Sequence, residues 1–316
     1  MSSAATAHRL PMIIAEVTVT RAERISPSFV RVELAGPELA EFGVDGPLHD
    51  QRIKLVFPNA AGGLASFAGA DETWFATWLE IPEDRRGHMR TYSVRDVVGS
   101  GTDTRVVVDL VLHLADGATG PGSTWAATAS PGDRVVLVGP RRGEAFGGIE
   151  FDPGTARSLL LAADETAVPA VCRILADLPR TAVGTAFLEV PTAGDTFVVP
   201  APPGMRVVWL PRSGAEHGEP LVAAVRRHVG LAPTVALVDE TAVDPDLWET
   251  PTYSSSGEEL DGTVTVGHDV SGLYAWIAGE SRMVTTLRRC LVNEVEMDRR
   301  QVAFMGYWRR GVAMRS

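Results

Sequence analysis

The chain has 316 residues, 45% of them hydrophobic and 22% charged, which fits a two-domain globular protein. A formal net charge of −11 excludes general nucleic-acid binding, and no apolar run is long enough for a membrane-spanning helix. Two cysteines, Cys172 and Cys290, cannot supply the four ligands of an iron–sulfur cluster, so any electron transfer would need an organic cofactor. Both cysteines lie in helix-like stretches and read as small buried hydrophobes. The first ten residues lack a basic segment followed by an apolar core, so no secretory signal is expected and a cytoplasmic location is the default. Lys54 is the only lysine; arginine carries the rest of the positive charge.

Residues 12–150 read as β-rich. Strands are expected at 13–20, 29–34, 52–57, 90–95, 105–113 and 134–138, with a loop over about 60–74. Gly and Pro punctuation between these short strands points to a closed barrel. The Gly- and Arg-rich stretch 140–153 reads as a junction. From 155 onward strands alternate with helices. The continuous apolar strand 158–163 reads as one covered on both faces. A helix over 167–178 follows, with Thr166 as its N-cap and Pro169 in its first turn. Strands at 186–190 and 206–210 and a helix at 219–229 come next. The acidic, Ser- and Gly-bearing stretch 231–268 reads as containing a surface insertion. A strand at 274–278, a helix capped by Ser281 and carrying Val284, Leu287, Leu291 and Val295, and a strand at 301–305 complete the second half. That half, 155–316, is expected to be a doubly wound α/β domain.

The stretch Arg90-Thr91-Tyr92-Ser93-Val94-Arg95 is the most informative. Strand alternation sets Arg90, Tyr92 and Val94 on one face and Thr91, Ser93 and Arg95 on the other. A Tyr ring can stack on a flavin, a Ser can bond its N5 edge, and an Arg can pair with pyrophosphate. Alone, the stretch reads more simply as an amphipathic edge strand. The next strand contains Asp109 and ends at His113. Beyond it, the small residues Gly120-Pro121-Gly122-Ser123-Thr124 before Trp125 can present successive N–H groups to pyrophosphate, with hydroxyls beside them, or can be an ordinary loop before a short helix. Asp164-Glu165-Thr166-Ala167 ends the first α/β strand, where ligands bind in open parallel sheets. Ala278-Gly279-Glu280 again joins a strand end to a helix start, a favourable place for phosphate, with Glu280 able to bond a ribose or simply complement the helix dipole. Glu189, at another strand end, would favour NADH by repelling a 2′-phosphate; Arg212 argues the opposite way. No group of residues with metal-ligand spacing is evident.

Arg90-Thr91-Tyr92-Ser93 resembles the flavin signature of the ferredoxin–NADP reductase superfamily. The ordered set formed by that stretch, Gly120–125, Asp164-Glu165-Thr166-Ala167, Ala278-Gly279-Glu280 and Gly306-Tyr307-Trp308-Arg309-Arg310-Gly311 looks like the siderophore-interacting proteins, from about residue 12 to 312. The resemblance implies an N-terminal antiparallel Greek-key β-barrel for FAD, followed by a doubly wound parallel-sheet domain for NADPH or NADH. It implies FAD contacts at Arg90, Thr91, Tyr92, Ser93, Val94, Asp109, His113, Gly120, Gly122, Ser123, Thr124 and Trp125, with Tyr92 and Ser93 at the reacting ring. Nicotinamide-nucleotide contacts are implied at Asp164, Glu165, Thr166, Ala167, Ala278, Gly279 and Glu280, and the chain's end, with Tyr307 and Trp308, as a lid near the flavin. Where the family usually has Gly before Asp164, this chain has Ala163.

The implied activity is ferric-siderophore reduction: hydride passes from NAD(P)H to FAD, single electrons pass to Fe(III), and Fe(II) is released because hard oxygen donors hold it less tightly. Anionic ferric siderophores would meet Arg52, Lys54, Arg141, Arg142, Arg309 and Arg310, a set in which arginine forks replace most of the family's lysines. Two alternatives stay open. One is a flavin reductase serving free flavin or a protein partner such as a ferredoxin. The other is a siderophore-binding carrier or sensor without hydride transfer.

Overall fold

The structure is a computed structural model that describes residues 9–113, 120–234, 236–239, 243, 248–250, 253–254 and 272–310. The chain divides into two compact units, one built mainly from residues before Gly148 and the other from 149 onward together with 24–29.

The first unit is a curled antiparallel sheet of seven strands: β1 (Met12–Ser26), β2 (Phe29–Ala35), β3 (Arg52–Phe57), β4 (His88–Ser93), β5 (Asp96–Val98), β6 (Arg105–Val111) and β7 (Arg134–Pro140). Their order across the sheet is β4-β3-β7-β1-β2-β6-β5. Alternate residues of each strand point inward: Ile13 and Val17, Val32 and Leu34, Ile53 and Leu55, Val106 and Val108, Val135 and Leu137 form one buried cluster. The two edge strands, β4 and β5, follow each other in the chain with only Val94 and Arg95 between them. The Val94 N–H bonds the Gln51 carbonyl at 2.8 Å and the Arg95 N–H bonds the Val107 carbonyl at 2.9 Å. One bent strip of chain therefore forms both edges, and the expected barrel is closed by this bend rather than by a continuous ladder.

The expected loop at 60–74 runs to residue 73. Helices α1 (Trp74–Glu80) and α2 (Glu83–Arg86) follow, and Trp78 packs with Val56, Met89 and Val136 in a second cluster. These are the residues that alternation turns away from the inner cluster, so the sheet is covered there on its other face as well. After β6 comes α3 (Pro121–Thr128), which opens with Gly120 as N-cap and Pro121 at its first position.

The second unit contains β8 (Ser158–Ala163), α4 (Val168–Asp177), β9 (Val183–Val190), β10 (Gly204–Pro211), α5 (Glu219–His228), β11 (Trp248–Thr250), β12 (Tyr253–Ser254), β13 (Leu273–Glu280), α6 (Ser281–Arg288) and β14 (Val302–Trp308). The sheet order is β10-β9-β8-β13-β14-β11-β12. The first five strands are parallel; β11 pairs antiparallel with β14, and β12 antiparallel with β11. The doubly wound sheet thus carries an antiparallel edge. Part of the stretch read as a surface insertion supplies this edge hairpin; most of 240–271 lies outside the described residues. Strand order reverses between β8 and β13, which opens a crevice at the carboxyl ends of those strands. Leu160, Ala162, Ala275 and Ile277 pack against α5 and α6 through Leu221, Val225, Val284 and Leu287. The helix that contains Val284 and Leu287 passes into a π-helical turn, Arg289–Glu294, which keeps Leu291 and Val295 on the same buried side.

Residues 24–29 join this unit through Asp195, which is fully buried. Its carboxylate accepts the Ser26 hydroxyl at 2.7 Å, the Ser28 N–H at 2.7 Å and the Thr192 hydroxyl at 2.8 Å.

Candidate functional site

In the first unit the signature strand β4 lies along β3, in register with Tyr92 opposite Ile53 and Arg90 opposite Leu55. The Arg90 Nη1 donates to the Met89 carbonyl at 2.7 Å. Thr91 is exposed and Ser93 is buried. Val94 is fully buried in the inner cluster, which removes its side chain from any cofactor face. Tyr92 packs edge-on to Phe57, with ring centres 5.9 Å apart, and burial pushes its phenol well above the usual range. Its hydroxyl lies where a side chain on Gly122 would begin, so only glycine fits beneath it. Tyr92 thereby touches the first turn of α3. Trp125 of that helix packs on Phe57 at 5.1 Å.

The first turn of α3 differs from the expectation. Ser123 and Thr124 were expected to offer hydroxyls to a pyrophosphate. Instead the Ser123 hydroxyl donates to the Val111 carbonyl at 2.9 Å and accepts the His113 N–H at 3.2 Å, while Thr124 donates to the Gly120 carbonyl at 3.1 Å. These bonds fasten the helix start to the end of β6. What remains for an anion is the Gly122 and Ser123 N–H groups at the helix start, with nothing among the described residues crowding Gly120. Asp109 is also corrected: its buried carboxylate holds Arg31 in a fork, 2.7 Å on each branch, with the Arg95 guanidinium at 3.6 Å.

Among the basic candidates, Arg52 and Lys54 alternate with Ile53 and Leu55 and face away from the inner core. Burial, and then Arg52, lower the Lys54 pKa. Arg141 is a tether paired with a carboxylate, whereas Arg142 is exposed and bonded to a backbone carbonyl. Arg141 donates to the Leu10 and Met12 carbonyls at 3.0 and 3.1 Å and pairs with Glu41, and Arg142 donates to the Phe42 carbonyl at 3.1 Å.

In the second unit the crevice at the carboxyl ends of β8 and β13 holds a network centred on Asp164. Oδ1 accepts the Thr166 N–H at 2.8 Å and its hydroxyl at 2.5 Å; Oδ2 accepts the Glu280 N–H at 2.7 Å and the Trp308 indole N–H at 2.9 Å. Thr166 is therefore a donor to Asp164 and not the N-cap of α4, a position taken by Ala167 without a side-chain bond. Gly279 is required for this packing: a methyl group there would lie 2.6 Å from Asp164 Cγ, on a backbone with φ +147°.

His217, in the loop before α5, is the residue that sequence reasoning missed. Its Nε2 lies 3.3 Å from Asp164 and 3.5 Å from Glu165, ion-pair contacts without hydrogen-bond alignment. Burial opposes its charge, but the two carboxylates prevail and its pKa is pushed up to about 10. Burial likewise works against the Asp164 and Glu165 charges, yet donors and His217 hold both below the ordinary carboxylate range. A lone histidine between a strand and a helix has no sequence signal; only its place at the sheet's carboxyl edge could have marked it. Asp164, Glu165 and His217 offer ligand atoms within 4.8 Å of one another. However, both Asp164 oxygens already accept two donors each, and Arg212 forks onto Glu165 at 2.6 and 2.8 Å, so the cluster is built as a charge network.

Two further expectations change. Glu189, fully buried, accepts the Gly218 and Leu221 N–H groups at the start of α5 at 2.7 and 3.0 Å and is not open to a ribose. Arg212, expected to offer a phosphate contact, is the counter-charge of Glu165 and Glu189, the latter at 3.2 Å. Glu280, and not Ser281, caps α6, its Oε2 accepting the Arg282 and Met283 N–H groups at 2.7 and 3.1 Å. The N–H groups expected to meet phosphate are thus already satisfied by the protein's own carboxylate. Tyr307 and Trp308 belong to β14 and not to a lid beyond it; Tyr307 stacks on Trp248, with centres 6.0 Å apart. Residues 311–316 lie outside the described residues. A small cavity beside the network is lined by Glu216, His217, Glu280, Arg282, Arg309 and Arg310.

Comparison with known proteins agrees with this architecture. Residues 18–144 match the family model of the siderophore-interacting FAD-binding domain, and residues 156–311 match that of the siderophore-interacting protein. An uncharacterized protein of Mycobacterium tuberculosis is 32% identical over 306 residues, covering 95% of this chain and 91% of its own. The ferric vibriobactin reductase of Vibrio cholerae is 27% identical over 293 residues, covering 92% of this chain and 88% of its own. A siderophore utilization protein from T. fusca superposes with a TM-score of 0.64 at 28% identity, covering 96% of this chain and 95% of its own. The chain belongs to the siderophore-interacting protein family.

Proposed function

We propose that this chain is an FAD-dependent NAD(P)H:ferric-siderophore reductase. The observation that carries the reading is the meeting of Tyr92 with the first turn of α3 in the FAD-binding unit of a chain that also has a doubly wound sheet. The donor set in the first unit fits a flavin dinucleotide: an Arg on the signature strand, and a helix start with N–H groups and a glycine that no described residue crowds. Arg90 and the α3 backbone would neutralise the pyrophosphate, and Ser93 and Tyr92 would fix the ring's place. In the second unit the crevice between β8 and β13 would take the nicotinamide nucleotide, with Asp164 and His217 holding its walls in place. FAD, when bound, supplies the two-electron to one-electron conversion that lets a hydride donor reduce Fe(III). Arg52, Lys54, Arg309 and Arg310 are the cations that would attract an anionic ferric siderophore.

Anaerobic flavin absorbance tests this reading. Bleaching by NADH or NADPH, then recovery on adding a ferric siderophore, is the expected result. Bleaching without recovery points to another acceptor, and a bound flavin that never bleaches refutes hydride transfer.

A further inference from the structure

We infer that this chain prefers NADH to NADPH, because the edge of the sheet where a 2′-phosphate would be read carries no available side-chain cation at Arg212. The inference rests on the nucleotide reading above and adds the specificity. In doubly wound sheets the adenine ribose is read at the carboxyl end of the second strand of the fold. Here that strand is β9, which follows β8 and lies beside it. Glu189 lies at its end, in register with Leu210 of β10, and Arg212 directly follows β10. Sequence alone leaves the two residues opposed, one against and one for a 2′-phosphate.

The geometry resolves that opposition. Arg212 is fork-bonded to Glu165 and bonded to Glu189, both at 0–1% exposure, so its guanidinium is turned into the protein. Glu189 in turn is anchored by two N–H groups of α5. Withdrawing Arg212 to meet a phosphate would take the guanidinium from two buried carboxylates, leaving Glu165 to His217 and Glu189 to its two N–H donors, at a cost in buried charge. The charges of the network confirm the sign. Asp164, Glu165 and Glu189 give three carboxylates against two cations, Arg212 and His217, so the edge has no positive surplus even if one carboxylate is protonated. Arg24, the other cation on the segment clamped by Asp195, folds its guanidinium back onto the Ser26 and Pro27 carbonyls. Of the remaining arginines beside the network, Arg282 is held by Glu216 at 2.5 Å and the Val238 carbonyl at 2.6 Å, and Arg309 and Arg310 directly follow β14, which lies beyond β13 from β9.

The test is anaerobic stopped-flow reduction of the bound flavin at subsaturating NADH and NADPH, with competition by 2′,5′-ADP and 5′-AMP as a binding readout. The expected rate constant for NADH exceeds that for NADPH by about tenfold, equivalent to about 1.4 kcal/mol. 2′,5′-ADP is expected to compete no better than 5′-AMP. In Glu165→Gln, one carboxylate no longer holds Arg212, and the NADPH rate should rise relative to NADH. NADPH rates within about threefold of NADH, or above them, overturn the inference. So does tighter competition by 2′,5′-ADP, and loss of that advantage in Arg24→Ala would place the phosphate site on Arg24. If neither nucleotide bleaches the flavin, the reductase reading itself falls. If Glu165→Gln does not fold, the parent protein's rate ratio still decides.

Discussion

Asp164→Asn is the substitution that most directly tests the network at the crevice. The parent carboxylate accepts four hydrogen bonds and faces His217 at 3.3 Å. An amide can keep its oxygen toward Thr166, but its NH2 then confronts the Glu280 and Trp308 N–H groups, donor against donor. A hydrogen bond to a charged group contributes roughly 1.5–3 kcal/mol, so losing two predicts about 3–6 kcal/mol of destabilisation. The His217 shift gives an independent figure. A pKa raised from 6.5 to about 10 corresponds to roughly 5 kcal/mol shared between Asp164 and Glu165. Urea unfolding followed by Trp fluorescence, and NMR titration of His217, measure the two effects. The expected outcome is a loss of several kcal/mol together with a His217 pKa falling toward 6.5. A change below about 1 kcal/mol with His217 still titrating near 10 would refute the reasoning. The sign in pH follows. Because the folded pKa of His217 is raised, its contribution is complete below about 6.5 and is lost as pH rises through about 10. Asp164 and Glu165, held low, contribute above their ordinary values near 4 and lose that contribution in acid as their lowered values are crossed.

Gly122→Ala should displace Tyr92 and lower flavin content in the purified protein, because the new methyl overlaps the phenol oxygen; normal flavin absorbance would show that Tyr92 can move without consequence. Arg90→Ala should reduce FAD retention on gel filtration while leaving thermal unfolding within about 1 kcal/mol, since Arg90 makes one backbone bond, to Met89. Unchanged flavin content removes Arg90 from the cofactor site. Glu280→Ala uncaps α6 and should cost about 1–2 kcal/mol in denaturant unfolding; an unchanged midpoint would mean water replaces the cap.

Hydrophobic period made the architecture readable from sequence. Alternation in Ile13, Ala15, Val17 and Val19 specifies a one-sided strand, and the unbroken run Leu159–Ala163 specifies a strand buried on both faces. Strands 52–57 and 158–163 fall where sequence placed them, because local alternation and turn residues decide them without help. Strand β14 runs three residues past its expected end, because pairing with β13 continues to Trp308 and that partner is distant in sequence. The edge hairpin was hidden for the same reason: β11 is three residues long and is held to the sheet by its pairing with the distant β14.

The motifs fared differently from the atoms within them. Sequence by itself placed Arg90–Ser93 on a strand and Gly120–Trp125, Asp164–Ala167 and Ala278–Glu280 at strand ends or helix starts, since residue type and spacing encode strands, turns and caps locally. It could not determine which polar groups are already engaged. Only the tertiary structure turned Ser123 onto Val111, Asp109 onto Arg31, Glu189 onto α5 and Arg212 onto Glu165, and brought His217 to Asp164 across 53 residues of chain. A buried charge must find its counter-charge or donor wherever the fold brings one near, and that partner is set by strand order rather than by neighbouring sequence.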